Sequence, residues 1–364
     1  MSAGGSTVKG PNVLIIGAGG VGVITAYSLW FKNKCNVSVV IRSDYEIVSQ
    51  VGYSIDSCDY GKIENWRPHS IHKTIEDSLS SKIFYDFIVV TTKNIPDGPV
   101  ASRVSTILRP ILTSNTEIDP KKESNILLIQ NGIDLENEII QTYSRDELEN
   151  VTLLSGIQFI GSTKIGPGKI HQLGKDRLFV GGFDSCDIKA RNASQEFIEI
   201  YSNEGYNIVE FEPRVRYARW KKLLYNAAIN TTTALVQLDV PRTLEFAKNK
   251  DHTEKFIYEP AMREIIAIAA SEGIIIEEEF IDFFINISRN LLFKPSMCVD
   301  REKNQLMELE IILGNPIKVA EKNNVPVPTL FLLYNLLTLV QSKLKEELGL
   351  LKFDEKTLKL QSTT

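Results

Sequence analysis

Apolar residues recur along this chain in two rhythms, and the change between them falls near Pro213. Upstream come short apolar runs bounded by glycine or polar residues: VLII at 13–16, VSVVI at 37–41, FIVV at 87–90 and ILLI at 126–129. Runs of that length fit strands buried on both faces, as in a parallel sheet. A helical stretch, ITAYSLWFK, follows the first of them. Three further β-type runs, VTLLSGIQFIGS, GKIHQLG and RLFVGG, are divided by glycine turns and predict an antiparallel or mixed extension of the sheet. A helix (SQEFIEIYSNEG) and a last strand (NIVEF) lead up to Pro213. Two polar stretches interrupt the pattern. Residues 50–73 fit short strands or a hairpin insertion, and 113–124 (TSNTEIDPKKES) read as a polar loop.

Downstream of Pro213 the period is helical throughout. Helices are expected through WKKLLYNAAIN (220–230), HTEKFIYEPAMREIIAIAASEG and IDFFINISRNLLF. Pro295-Ser296-Met297 breaks the pattern, and a longer helix is expected from near Val299, carrying Glu308 and Glu310 ahead of Gly314. The last apolar stretch, PTLFLLYNLLTLVQSKLKEELG, is amphipathic and either closes the core or makes a homodimer. The chain thus reads as an α/β Rossmann-type domain over residues 1–212 and an all-α domain over 213–364.

The length of 364 residues suits two domains, and 43% hydrophobic with 24% charged residues is ordinary for a soluble globular protein. A net charge of −5 gives no electrostatic reason to expect nucleic acid or an anionic membrane as partner. Cys35, Cys58, Cys186 and Cys298 lie far apart, which fits neither a disulfide framework nor a zinc site and points to a reducing, cytoplasmic setting. The histidines show no metal spacing. No apolar run approaches the roughly 18 residues of a membrane span, and MSAGGSTVKGPN reads as a short flexible leader.

The first strand runs into GAGGVG: Gly17, Ala18, Gly19, Gly20, Val21 and Gly22. Strand, glycine turn and helix in succession make a dinucleotide-binding loop, with the pyrophosphate on the helix N-terminus. Where an NAD-type fold has a carboxylate for the ribose 2′-OH, the second strand ends in Arg42, which suits the 2′-phosphate of NADP; Asp44 stands two residues on. Lys93 and Asn131 follow the strands FIVV and ILLI, at the sheet edge where open α/β folds bind ligands. Lys222, Asn226 and Asn230 recur every fourth residue, so on an α-helix they form one polar stripe suited to a carbonyl and its carboxylate. Reduction of a carbonyl needs a proton donor, and Lys222 is the best acid in the chain if burial or a nearby cation lowers its pKa. Lys221, next to it, faces elsewhere.

GAGGVG, TTKN, QNGID, WKKLLYNAAIN, PSM and ELEIILG occur in that order over the whole chain, which resembles the ketopantoate reductase family in this set of motifs. The resemblance implies a 6-phosphogluconate-dehydrogenase-like fold and reduction of 2-dehydropantoate to pantoate with NADPH, in a cleft between the two domains. It implies Lys222 as general acid, Asn226 and Asn230 as substrate ligands, and Ser296 as the carboxylate's partner. Glu308 would hold a substrate hydroxyl or the ribose. Lys93, Asn131 and Ser162 would be cofactor contacts, Asn131 also lining the substrate. The family's E-x-D-x-x-N-G pattern departs here to Glu308, Glu310, Leu313 and Gly314. Reduction of another 2-oxo acid, or NADP binding without turnover, are the alternatives.

Overall fold

The structure, a computed structural model, describes residues 9–361, so most of the leader read from the sequence lies outside the described residues. Twelve strands build the N-terminal part: β1 (Asn12–Ile16), β2 (Asn36–Val40), β3 (Tyr53–Ser57), β4 (Gly61–Trp66), β5 (Ser70–His72), β6 (Phe87–Val90), β7 (Ser124–Leu128), β8 (Val151–Phe159), β9 (Ser162–Gly166), β10 (Lys169–Gln172), β11 (Arg177–Gly182) and β12 (Ile208–Phe211). Six of them run parallel in the order β5-β2-β1-β6-β7-β8. Counted along the chain, that is the 3-2-1-4-5-6 order of a doubly wound dinucleotide-binding sheet. β11 then pairs antiparallel with β8, and β12 parallel with β11. Val13, Leu14, Ile15, Phe87, Ile88 and Val89 are wholly buried, as strands covered on both faces require.

Two stretches differ from the expectation. Of the β-type runs in 151–182, only β8 and β11 stay in the large sheet. β9 and β10 join β3 and β4 in a second sheet of order β4-β3-β10-β9. The polar loop expected at 113–124 is confined to 119–123, because 113–118 are the last turns of one helix, Val104–Ile118. Val104, Leu108, Ile111, Leu112 and Asn115 form its buried face. Asn115, which reads as a loop residue, accepts from the Tyr85 N–H at 3.0 Å and donates to the Tyr85 carbonyl and the Ser124 hydroxyl at 2.9 Å.

Beyond Val215 the structure is helical, apart from a two-residue pairing of Phe353–Asp354 with Lys359–Leu360. The expected helix from Val299 through Glu310 does not form. Instead Ser296–Glu302 is a short helix behind Pro295, and Asn304 turns left-handed at φ 52°. Glu308 lies in the irregular stretch that follows, ahead of a π-helical turn at Glu310–Gly314. In the last long helix, Pro328–Glu347, Leu330, Leu333, Leu337 and Leu344 are buried while Phe331, Leu332 and Leu339 are exposed. No helix among the described residues is long and apolar enough to cross a membrane.

The chain divides into two compact units. The first takes residues up to Thr92, Val104–Gln130 and Leu135–Val215. The second takes Lys93–Arg103, Asn131–Asp134 and everything from Arg216. A single cut at residue 213 therefore leaves two short segments, those after β6 and β7, on the wrong side.

Candidate active site

The second unit holds a cluster of charged and amide side chains. Its floor is the segment Val215–Tyr225, Asn226–Asn230 and Thr231–Val236: α-helix, one π-helical turn, then α-helix again. The wide turn has a local cause in the three threonines that follow. Their hydroxyls bond back to the carbonyls of Ala227, Ala228 and Ile229 and compete with the regular ladder. Leu223, Leu224, Ala227 and Ala228 are buried, as the amphipathic pattern requires.

Asn226 and Asn230 share one face of this turn. The Asn230 Nδ2 donates to Asn226 Oδ1 at 2.9 Å, and the remaining Asn226 Nδ2 and Asn230 Oδ1 are buried without a hydrogen-bond partner. Leaving such groups unpaired costs about 1–3 kcal/mol each. The pair therefore presents one donor and one acceptor, each a candidate for a ligand.

Lys222 stands one turn earlier on the same segment and is half-buried. Burial pushes its ammonium down to about 7; Arg219 and, to a smaller extent, Lys93 add to that, and Glu308 opposes it. The stronger of the two depressing cations is Arg219, three residues back, which the sequence reading missed. Arg219 is itself buried and donates to the Gly132 carbonyl at 3.0 Å.

Glu308 gathers two of the other predicted residues, Lys93 and Asn131. Its Oε1 accepts from the Asn94 N–H at 3.1 Å, and its Oε2 accepts from Asn131 Nδ2 at 3.2 Å and Lys93 Nζ at 3.5 Å. Lys93 also meets Asp300 at 2.7 Å. Partial burial works against the Lys93 charge, but Glu308 and Asp300 outweigh it and hold the ammonium above the ordinary lysine range. Burial holds the Asp300 carboxyl above its usual range despite Lys93. Asp300 was also missed: a carboxylate one turn after Ser296 has no signal in the sequence until Lys93 is placed against it. Ser296 is exposed at the first residue of that helix.

The loop Asn131–Asp134 is fixed from several sides. Asn315 Nδ2 donates to the Ile133 carbonyl at 2.9 Å, the Ile133 N–H donates to the Ile311 carbonyl at 3.2 Å, and Arg216 pairs with Asp134 at 2.8 Å. Gly132 has φ 91°, and a Cβ there would stand 2.5 Å from the Ile311 carbonyl oxygen. Glu310 turns away from Glu308 to take the Tyr334 hydroxyl at 2.6 Å, and Leu313 is wholly buried in the core.

The glycine loop lies in the first unit. Gly17 has φ 115°, and a Cβ on Gly22 would meet the Gly17 carbonyl oxygen at 2.0 Å. At Gly19 a Cβ would meet open space, and the helix Gly20–Phe31 that starts there has no side-chain cap. Its first N–H groups therefore face an open cradle, which fits a pyrophosphate. The Ser162 hydroxyl donates to the Gly20 carbonyl at 3.0 Å. Arg42 and Ser43 are exposed just past β2. Asp44 is buried and accepts from Lys164 Nζ at 2.6 Å and the Gly168 N–H at 3.0 Å.

A strand-order dinucleotide fold, followed by a helical unit carrying a lysine with depressed pKa among amides, defines a nicotinamide-type reductase scaffold. The chain belongs to the ketopantoate reductase family of oxidoreductases: its N-terminal model, "Ketopantoate reductase PanE/ApbA", matches residues 13–185, and the model of its C-terminal domain matches 214–341. "Uncharacterized protein YDL144C" of Saccharomyces cerevisiae is 63% identical, the match covering 96% of this chain and 98% of that one. A 2-dehydropantoate 2-reductase of Nostoc sp. is 26% identical over 90% of this chain and 95% of its own. The crystal structure of 2-dehydropantoate 2-reductase from Methylococcus capsulatus superposes with a TM-score of 0.72 at 28% identity, covering 92% of this chain and 97% of that one.

Proposed function

We propose that the protein reduces a 2-oxo acid with NADPH, and that the acid is 2-dehydropantoate. The observation that carries this reading is the half-satisfied pair Asn226–Asn230, one turn from a lysine held near neutral pKa. A 2-oxo acid offers acceptor oxygens for Asn226 Nδ2 and for the Lys222 ammonium. A hydroxyl further along the substrate offers a donor to Asn230 Oδ1.

The open cradle at Gly19 and the exposed Arg42 support the cofactor assignment, with Ser162 beside the loop. When bound, NADPH would supply the hydride. Lys222 delivers a proton to the oxygen of the carbonyl that is reduced, and its depressed pKa lets it do so at neutral pH and recover afterwards. Glu308 holds Lys93, the Asn94 backbone and Asn131 in one arrangement, and Arg219 orients the Gly132 turn beside them. Ser296, exposed at its helix start, would hold the carboxylate.

A second reading rests on Leu313, which is apolar and buried where the family pattern has Asn. On that reading the substrate is a 2-oxo acid without the hydroxyl. Comparing 2-dehydropantoate with 2-oxoisovalerate and phenylglyoxylate at saturating NADPH separates the two. Preference for 2-dehydropantoate by a factor of about ten or more is expected, since the deoxy acid leaves Asn230 Oδ1 unpaired. Equal efficiency of all three makes the protein a general 2-oxo acid reductase, and tight NADPH binding with no turnover of any would overturn the enzymatic reading.

A further inference from the structure

We propose that Lys164, on β9, is a second cation for the 2′-phosphate of the adenosine ribose, acting beside Arg42 and Ser43. The inference rests on the NADPH reading above and deepens it.

β9 links the two places where the adenosine half of a dinucleotide must be held. At its first residue, the Ser162 hydroxyl donates to the Gly20 carbonyl at 3.0 Å. A Cβ on Gly20 would lie 2.4 Å from the Ser162 carbonyl oxygen, so the strand passes against the first residue of the glycine-loop helix. Two residues on, and so on the same strand face, Lys164 reaches the end of β2. Its Nζ lies 3.0 Å from Ser43 Oγ and 2.6 Å from Asp44 Oδ1. One strand therefore touches both the pyrophosphate end and the ribose end.

The same contacts explain what happens to Asp44. Its carboxylate is buried and accepts from Lys164, from the Gly168 N–H at 3.0 Å and from the Ser43 hydroxyl at 3.1 Å. Burial works to raise the carboxyl, but the Gly168 N–H and Lys164 hold it below the ordinary range. The carboxylate that could otherwise have received a ribose 2′-OH is thus withdrawn under β9. What faces outward is the exposed Arg42, the exposed Ser43 and a lysine whose side chain is 30% exposed. Two cations against one buried carboxylate leave a surplus positive charge, and a phosphate ester, with about −1.5 to −2 charge at neutral pH, satisfies it.

The alternative is that Lys164 serves Asp44 alone. The test is direct binding, by calorimetry, of 2′,5′-ADP against 5′-ADP and of NADPH against NADH. Lys164→Gln is expected to weaken 2′,5′-ADP and NADPH on the order of tenfold while leaving 5′-ADP and NADH within about twofold. The double variant Asp44→Asn with Lys164→Gln removes the buried charge pair together, so an orphaned Asp44 cannot mimic the effect; the same selective loss is expected. If Lys164→Gln and the double variant leave the preference for the 2′-phosphate intact while Arg42→Gln abolishes it, the NADPH reading stands and Lys164 is a structural partner of Asp44. An unmodified protein that binds 2′,5′-ADP no better than 5′-ADP overturns both.

Discussion

At the scale of single residues the site turns on Lys222. Its pKa of about 7, against an ordinary 10.5, puts the ammonium–amine change in the working pH range. On the proposed mechanism the acid form does the reduction, so kcat/KM in that direction should fall as pH rises through about 7, and the reverse oxidation should gain. Arg219 is the stronger depressing cation, so Arg219→Met should move that limb to higher pH, whereas Arg219→Lys, which keeps the charge, should leave it close to its place. A profile unmoved by Arg219→Met would assign the depression to burial and to Lys93 instead. Lys222→Ala should cut turnover on the order of 10²–10⁴-fold. The linkage to stability has the opposite sign from a salt-bridged lysine. Between about 7 and 10.5 the unfolded chain holds a proton that the folded chain has lost, so this group makes the fold more stable as pH rises through that window. Lys222, Asn226 and Asn230 could be picked out because they recur every fourth residue, although the structure puts the two amides in a π-helical turn and not in the regular α-helix that the interval suggests. Asp300 could not be, since it matters only through Lys93, far away in the chain; Arg219 lies three residues from Lys222, but what holds it in place is the distant Gly132 carbonyl.

The elements show where periodicity suffices and where it fails. Buried strands and amphipathic helices were readable because their whole length repeats one pattern. The last turns of helix Val104–Ile118 read as loop because they are polar, and the tertiary bonds of Asn115 show what holds them in place. The π-helical turns at Asn226–Asn230 and Glu310–Gly314 depend on backbone competition and packing, which no apolar period records. At Gly132 a substitution meets both a left-handed backbone and a close neighbour. Gly132→Ala must adopt φ 91° and push on the Ile311 carbonyl, at 2.5 Å from its Cβ. A loss of about 1–3 kcal/mol in denaturant unfolding is expected from the strained backbone alone. Asn131, bonded to Glu308, should move with it and lower turnover further than the stability loss explains. Unchanged stability and activity would mean that the turn does not fix the site.

For the whole molecule, the change of rhythm near Pro213 marks the division into a sheet unit and a helical unit to within a few residues. It does not show that 93–103 and 131–134 pack with the helices. Those memberships come from Lys345 and Gln341 meeting Asp97, and from Arg216 and Arg219 meeting Asp134 and Gly132. The division has a consequence for ligand binding. The glycine loop, Arg42 and Lys164 belong to the first unit, while Lys222 and the amide pair belong to the second. NADPH binding should therefore survive loss of the acid. A ligand at about 100 times its Kd stabilises the folded state by about 2.7 kcal/mol, and each kcal/mol shifts Tm by about 2–4 °C in a unit of 150–250 residues. Saturating NADPH should thus raise the melting temperature by several degrees in the unmodified protein and equally in Lys222→Ala. Arg42→Gln, which leaves Lys222 untouched, should lose most of that increment for NADPH and keep whatever NADH produces. A Lys222→Ala protein that folds but shows no NADPH-dependent shift would place Lys222 in cofactor binding rather than proton transfer, and the assignment of roles to the two units would have to be redrawn.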